Sequence, residues 1–73
     1  MTMSYRIEID REQDGRWIAD VLEIPGALAY GASADEALAR AQALALRVLA
    51  DRLEHGEGPR GAVSVSFETS ASA

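Results

Sequence analysis

The sequence predicts an α+β domain, a two-layer sandwich in which one helix packs on one face of a four-stranded, mixed and mostly antiparallel sheet. Residues 34–54 repeat apolar side chains every three or four positions, which is the period of a helix. Four shorter stretches have the alternation, or the turn-flanked apolar character, of strands. A chain of 73 residues is long enough for one domain, so a single domain, 1–73, is predicted in the order β-β-β-α-β.

The first hairpin is predicted from residues 4–10, where apolar and polar side chains alternate. A polar stretch follows and ends in Asp-Gly at 14–15, which favours a tight turn because glycine can adopt a positive φ. The second strand is expected at 16–22 and is apolar on both faces, with Trp17 on one and Ile18 on the other. It is therefore predicted to be a central strand or to have an outer face that meets another molecule.

The second strand is predicted to end at the Pro-Gly dipeptide at 25–26. Proline has no amide to donate to a sheet, and Pro-Gly suits the centre of a type II turn. A short third strand is expected at residues 27–31, with Leu28 and Tyr30 on the same side.

The helix is predicted to begin after Ser33, whose hydroxyl forms a capping box with the carboxylate of Glu36. One apolar stripe follows, made of Ala37, Leu38, Ala41, Leu44, Ala45, Val48 and Leu49. Gly56 is a suitable residue to end the helix, and Pro59 prevents its continuation. The helix should therefore span about 34–54.

The fourth strand is predicted at residues 62–68, and the tail from Thr69 onward is expected to be loose because it has little to bury. Two hairpin reversals make strands one and three parallel to each other, and the helix returns the chain in the same direction. The fourth strand can then pair in parallel with either of them. The sequence leaves both pairings open.

Composition limits the classes of function. Twelve acidic residues against seven arginines give a net charge of −5, which favours a basic protein partner over direct nucleic-acid binding by this chain. The chain has no cysteine for disulfides or thiolate metal sites, and so small a core favours a homo-oligomer, a dimer or larger. With no membrane-length apolar run and no signal-peptide core at its start, the protein is expected to be cytoplasmic, with no membrane contact.

No catalytic, metal-binding or cofactor-binding residue is predicted. The single histidine, His55, directly follows the helix, where its cation would interact favourably with the helix dipole. Four carboxylates lie on or beside the first hairpin: Glu8, Asp10, Asp14 and Asp20. A two-metal nuclease could use such a group, but the solvated face of a sheet is the simpler interpretation.

The predicted functional surface is apolar. Side chains on the sheet face away from the helix, together with one on the flank of the helix, are candidates for a protein interface: Ile18, Leu22, Leu28, Tyr30 and Leu46. Such a patch marks a protein contact more often than a small-molecule site, and the two edges of a four-stranded sheet also favour a partner.

Nine residues follow the pattern of a known family: a turn ending in Gly, an aromatic and a small residue, a Pro-Gly turn, and a Gly before a capped Glu-Ala helix. They are Gly15, Trp17, Ala19, Pro25, Gly26, Gly31, Ser33, Glu36 and Ala37. With this pattern the chain resembles the HicB-like antitoxin domain over residues 5–49, about two thirds of its length. It differs at Leu22, where the family often has proline.

The resemblance implies a degraded ribonuclease-H-like or double-stranded-RNA-binding-like fold without catalysis. It also implies a non-enzymatic type II antitoxin that neutralises a small, basic HicA-type toxin, which cleaves mRNA. Many family members add a DNA-binding segment, which this chain is expected to lack because it ends after its fourth strand. Two alternatives stay open: a solitary oligomeric domain with no toxin partner, and a metal-dependent nuclease that uses the hairpin acids.

Overall fold

The structure, a computed structural model, describes residues 1–71 and has the predicted order of elements. The elements are β1 (Thr2–Arg11), β2 (Trp17–Val21), β3 (Leu28–Gly31), α1 (Ala34–Glu54) and β4 (Ser64–Ala71). The four strands form one mixed sheet, and the helix packs on one face of it. The α+β class is therefore confirmed, and the helix has the predicted bounds.

The sheet has the order β3-β2-β1-β4, so the last strand lies beside the first. β2 is antiparallel to both of its neighbours, whereas β4 is parallel to β1, which resolves the choice that the sequence left open. β1 has ten residues and β3 has only four. The longer edge offers β4 more backbone hydrogen bonds, which is a physical reason for this pairing.

The fourth strand is present but runs over Ser64–Ala71 instead of 62–68, so the prediction of a loose tail from Thr69 is wrong for residues 69–71. Residues 69–71 pair with residues 7–9 of β1. Backbone pairing holds this segment in place and requires no apolar side chain, so hydropathy does not reveal it. The last two residues of the chain lie outside the described residues.

The other strands differ from their predicted bounds by one or two residues at an end. β1 begins at Thr2 instead of residue 4 because β4 extends the ladder there, where Thr2 pairs with Ser64. β2 stops one residue short of Leu22, which begins the turn toward β3.

The capping box at the start of α1 forms, with one difference in partner. The Ser33 hydroxyl accepts a hydrogen bond from the Glu36 amide at 3.1 Å. The Glu36 carboxylate accepts one from the amide of Ala32, also at 3.1 Å, where the usual box would use the amide of Ser33. At the other end of α1, Gly56 has a φ of +72°, and the Glu57 amide donates to the Arg52 carbonyl at 2.8 Å.

The core lies between the helix and strands β1 to β3. Its largest fully buried side chains are Ile7, Val21 and Ile24. The helix buries a narrower stripe than the sequence predicts: Ala37, Ala41, Ala45 and Leu49 are buried, whereas Leu38, Leu44 and Val48 are half-buried. The row of alanines lets the helix lie close to the sheet, which moves the larger side chains to its flanks.

The helix covers the sheet unevenly. It packs on β3 and β2, touches β1 much less and makes almost no contact with β4. The chain is elongated, with extents of 42 × 19 × 16 Å. Within residues 1–71, no helix has the length and apolar character that a bilayer crossing requires.

Candidate protein-binding face of the sheet

The sheet face turned away from α1, which we call the open face, presents an apolar patch on β2 and β3. In β3, Ala29 and Gly31 are the buried residues and lie on the helix side, so the side chains of Leu28 and Tyr30 alternate to the open face. Ile18 lies directly opposite Tyr30 across the two strands. Leu28 and Tyr30 keep 40% and 38% of their surface exposed, which is high for large apolar side chains. The structure therefore brings three of the five predicted interface residues together.

Of the other two predicted interface residues, one borders this patch and the other lies on the helix. Leu22 is 42% exposed and lies just past the end of β2, where its amide donates to the Arg6 carbonyl at 3.1 Å. It extends the patch along the same strand direction. Leu46 is on α1, in the other layer, so it does not belong to the surface that the sheet residues form.

Carboxylates occupy the same open face beside the apolar patch. Glu8 of β1 lies directly opposite Asp20 of β2, and Arg6 lies opposite Glu68 of β4. In the described part of the chain neither Glu8 nor Asp20 forms an ion pair, and Arg6 instead contacts Glu23 at 3.7 Å. Like charges directly opposite each other destabilise a sheet. A cationic group bound over Glu8 and Asp20 would remove this repulsion.

Arg16 forms one border of the apolar patch. Its guanidinium lies 4.6 Å from the centre of the Tyr30 ring, within the range of a cation–π contact. Its Nε is 2.7 Å from the Asp14 carboxylate, which also accepts the backbone amide of Arg16 at 3.0 Å. The backbone hydrogen bond from Arg16, followed by the side-chain hydrogen bond, lowers the pKa of Asp14. These contacts orient Tyr30 and hold the hairpin turn against the patch.

The hairpin acids do not converge on one point. Asp14 is in the turn and bonded to Arg16, whereas Glu8 and Asp20 lie on the open face. Residues 1–71 contain no group of three or more histidine and carboxylate side chains arranged to hold a metal ion. His55 occupies the C-cap of α1, with its Nδ1 2.8 Å from the Asp51 carbonyl oxygen. This is the position at the end of the helix that the sequence predicts for it.

The nine residues of the family pattern form turns, the cap and the helix–sheet contact. Ala19 and Ala37 are fully buried, and Gly15 and Gly26 have φ values of +92° and +87°. The pattern therefore describes how the domain folds, and the open-face residues lie outside it. Trp17 is half-buried on the helix side, with the Arg11 guanidinium 5.8 Å from its ring.

Comparison of the chain with protein-family models, with curated proteins and with solved structures found no match. The resemblance to HicB-like domains thus stays an interpretation of the sequence pattern.

A groove that the sequence does not predict runs along the free edge of β3. It has a volume of about 540 Å³ and lies between Leu28 and Tyr30 on the strand and Leu44 on the helix. Arg40 and Arg47 also line it, and the Arg40 Nη1 donates to the Tyr30 carbonyl at 2.9 Å. This hydrogen bond occupies a carbonyl at the free edge of β3. It therefore hinders that part of the edge from pairing with a strand of another chain. Arg40 and Arg47 are seven residues apart, which places both on the same side of the helix. This spacing is the sequence signal that could have indicated the groove.

Proposed function

We propose that this protein is a non-enzymatic, cytoplasmic antitoxin of a type II toxin–antitoxin pair. It binds and neutralises a small, basic HicA-type toxin that cleaves mRNA, and it acts as a homo-oligomer without contacting nucleic acid itself. The observation that carries this proposal is the open face, where an exposed apolar patch adjoins the facing carboxylates of Glu8 and Asp20.

The acidic part of the open face attracts a basic partner electrostatically. Glu8 and Asp20 lie opposite each other and form no ion pair with another of the residues 1–71, and the whole chain has a net charge of −5. A basic partner is drawn to such a surface and arrives faster at low salt. The positive charges of the partner also reduce the repulsion between the two carboxylates. Part of the binding free energy would come from this reduction.

The apolar part of the open face is expected to slow dissociation of the complex. Ile18, Leu28 and Tyr30 are adjacent on two strands that the helix does not cover on this side. Aromatic and aliphatic side chains at the centre of an interface carry most of its binding free energy and mainly determine the dissociation rate. Carboxylates around an apolar centre therefore suit a tight complex with a basic protein.

The test combines the purified chain with the small basic toxin that the proposal expects to be encoded beside it and measures cleavage of a defined mRNA. We expect the wild-type chain to suppress cleavage at an equimolar ratio. Leu28→Glu should weaken suppression by about 100-fold or more, because it places an acid in the centre of the contact. Ala39→Glu, on the exposed side of α1, is the matched control and should suppress cleavage as the wild type does.

Unchanged cleavage in the presence of a folded wild-type chain would contradict the antitoxin function. Full suppression by Leu28→Glu would contradict the open face as the binding surface. A chain that captures only itself would favour the solitary oligomeric domain, and cleavage of RNA by the chain alone would favour the nuclease.

A further inference from the structure

The free edge of β3 presents backbone hydrogen-bonding groups to another strand. Within residues 1–71, β3 ends the sheet and pairs with β2 on one side alone. The Val21 amide donates to the Ala27 carbonyl at 2.9 Å, so Ala27 bonds toward β2. In an antiparallel pair, successive residues of an edge strand bond alternately toward the neighbour and away from it. The backbone groups of Leu28 and Tyr30 therefore point to the free edge.

One contact of the helix supports this direction. The Tyr30 carbonyl accepts a hydrogen bond from Arg40 Nη1 at 2.9 Å, which a carbonyl bonded to β2 would not be placed to do. By the same alternation, the Leu28 amide and carbonyl and the Tyr30 amide have no strand of residues 1–71 to pair with. These three groups can pair with an added strand while the contact with Arg40 stays in place.

The groove along this edge is positively charged, although the chain as a whole has a net charge of −5. Two of its lining side chains, Arg40 and Arg47, are charged, and none of the lining residues is acidic. The Arg47 guanidinium forms no ion pair with residues 1–71. Asp51, one turn further along the helix, contacts His55 at 3.3 Å instead. An anion in the groove would therefore meet a cation that has no other partner.

Arg40 can also bind an anion without giving up its present contacts. Its Nη1 contacts both the Tyr30 carbonyl, at 2.9 Å, and the Glu36 carboxylate, at 3.2 Å. Its Nε and Nη2 have no partner among residues 1–71. A guanidinium has five N–H donors, and a carboxylate accepts two of them in parallel. The free side of Arg40 is therefore suited to a carboxylate.

Strand geometry indicates how an acidic segment would fit. Side chains of an added strand alternate between the helix side and the open face, and those on one side are about 7 Å apart. The two arginines are separated by roughly 10 Å along the axis of α1, which their long side chains can adjust. Acids at alternate positions would meet Arg40 and Arg47 on the helix side. Apolar residues between them would lie beside Leu28 and Tyr30 on the open face.

We propose that the free edge of β3 binds an extended acidic segment of a partner protein, with acids at alternate positions. The segment adds to the sheet as a further strand, pairs with the backbone of Leu28 and Tyr30, and places its carboxylates on Arg40 and Arg47. Backbone pairing supplies affinity, and the arginines select acidic sequences. The inference goes beyond the proposed function, because the toxin is basic and this partner is acidic at its point of contact.

The experiment titrates a fluorescently labelled peptide, acetyl-Glu-Val-Glu-Val-Glu-amide, with the full chain and measures fluorescence anisotropy. We expect saturable binding that weakens with added salt. Arg47→Glu should weaken binding by about 10-fold or more, because it removes a charge-assisted hydrogen bond and adds a like charge. Arg60→Glu makes the same change of charge at an exposed position outside the groove, and it should bind the peptide as the wild type does. Circular dichroism checks that both variants keep the helix.

Two altered peptides separate strand pairing from simple attraction of charge. The same peptide with N-methylated backbone amides keeps its acids but loses its donors, and it should bind at least 10-fold more weakly. The peptide with lysine in place of glutamate should not bind at the edge.

No binding of the acidic peptide to the folded wild-type chain would overturn the proposal, as would equal binding by Arg47→Glu. Equal binding of the N-methylated peptide would show that the groove takes an anion and not a strand. A dimer of the chain alone that dissociates in Arg47→Glu would place a second copy on the edge, which also contradicts the proposal. The assay contains no toxin, so its failure is distinguishable from failure of the antitoxin function.

Discussion

At the scale of single residues, Gly31 shows why one position of the family pattern is restricted. A Cβ added to Gly31 would lie 2.5 Å from the backbone nitrogen of Ala37 and 3.0 Å from its Cα. The end of β3 therefore touches the first turn of the helix with no space for a side chain. Ala37 is itself fully buried, so the contact joins two small residues at the point where the sheet meets the helix.

Gly31→Ala is accordingly expected to destabilise the fold by about 1–3 kcal/mol, because backbone must move to admit the methyl group. The measurement is the free energy of unfolding from urea titration followed by circular dichroism. Gly58→Ala is the matched control, since its nearest atom at 2.8 Å belongs to the flexible end of the Leu53 side chain. Equal effects at the two positions would show that the Gly31 contact does not restrict the residue.

The pKa of Asp14 tests the turn that supports Tyr30. Its carboxylate accepts the amide of Arg16, which is the largest cause of its lowered pKa, and then the guanidinium of the same residue. We expect a titration midpoint below 3.8 by NMR. A depressed folded-state pKa means that the associated stability is present above the unfolded-state pKa and is lost as the pH falls through the folded-state value.

Arg16→Ala separates the two causes, because it removes the guanidinium and keeps the backbone amide. The midpoint of Asp14 should therefore rise but stay below its ordinary value. A return to 3.8 would show that the side chain alone lowers the pKa.

At the scale of elements, the helix is held by small residues rather than by large ones. Its buried row is Ala37, Ala41 and Ala45, with Leu49 completing it, whereas Leu38 lies at the edge of the contact. The helical period correctly predicts which side of α1 faces the sheet. It does not predict how closely the helix approaches, because the distance depends on the residues of β2 and β3 that lie beneath it, among them Ala19 and Ala29.

Ala41→Asp should therefore abolish cooperative unfolding, because a buried, unpaired carboxylate costs about as much as the whole stability of so small a domain. Leu38→Asp should lower the melting temperature but leave a cooperative transition, since the half-buried position lets the acid reach water. Thermal melts by circular dichroism measure both, with Ala39→Asp on the exposed side as the control. A cooperative Ala41→Asp protein that melts like the control would contradict the observed packing of α1.

At the scale of the whole molecule, one helix is too narrow for a sheet of four strands. It covers β2 and β3 and makes almost no contact with β4, and within residues 1–71 no helix packs on the other face of the sheet. The open face carries Glu8, Asp20 and Glu68, and under the proposed function this negative charge favours a basic partner.

Local sequence signals determined the order of elements, the helix bounds and the alternation of the strands, since each depends on neighbours in the chain. The cap at Ser33, the turn at Gly26 and the patch of Ile18, Leu28 and Tyr30 belong to this group. Only the tertiary structure decided that β4 pairs with β1, that residues 69–71 extend it, and that Leu46 faces away from the open face. The physical reason is that strand pairing and helix placement depend on backbone groups and surfaces distant in the chain, which no local pattern contains.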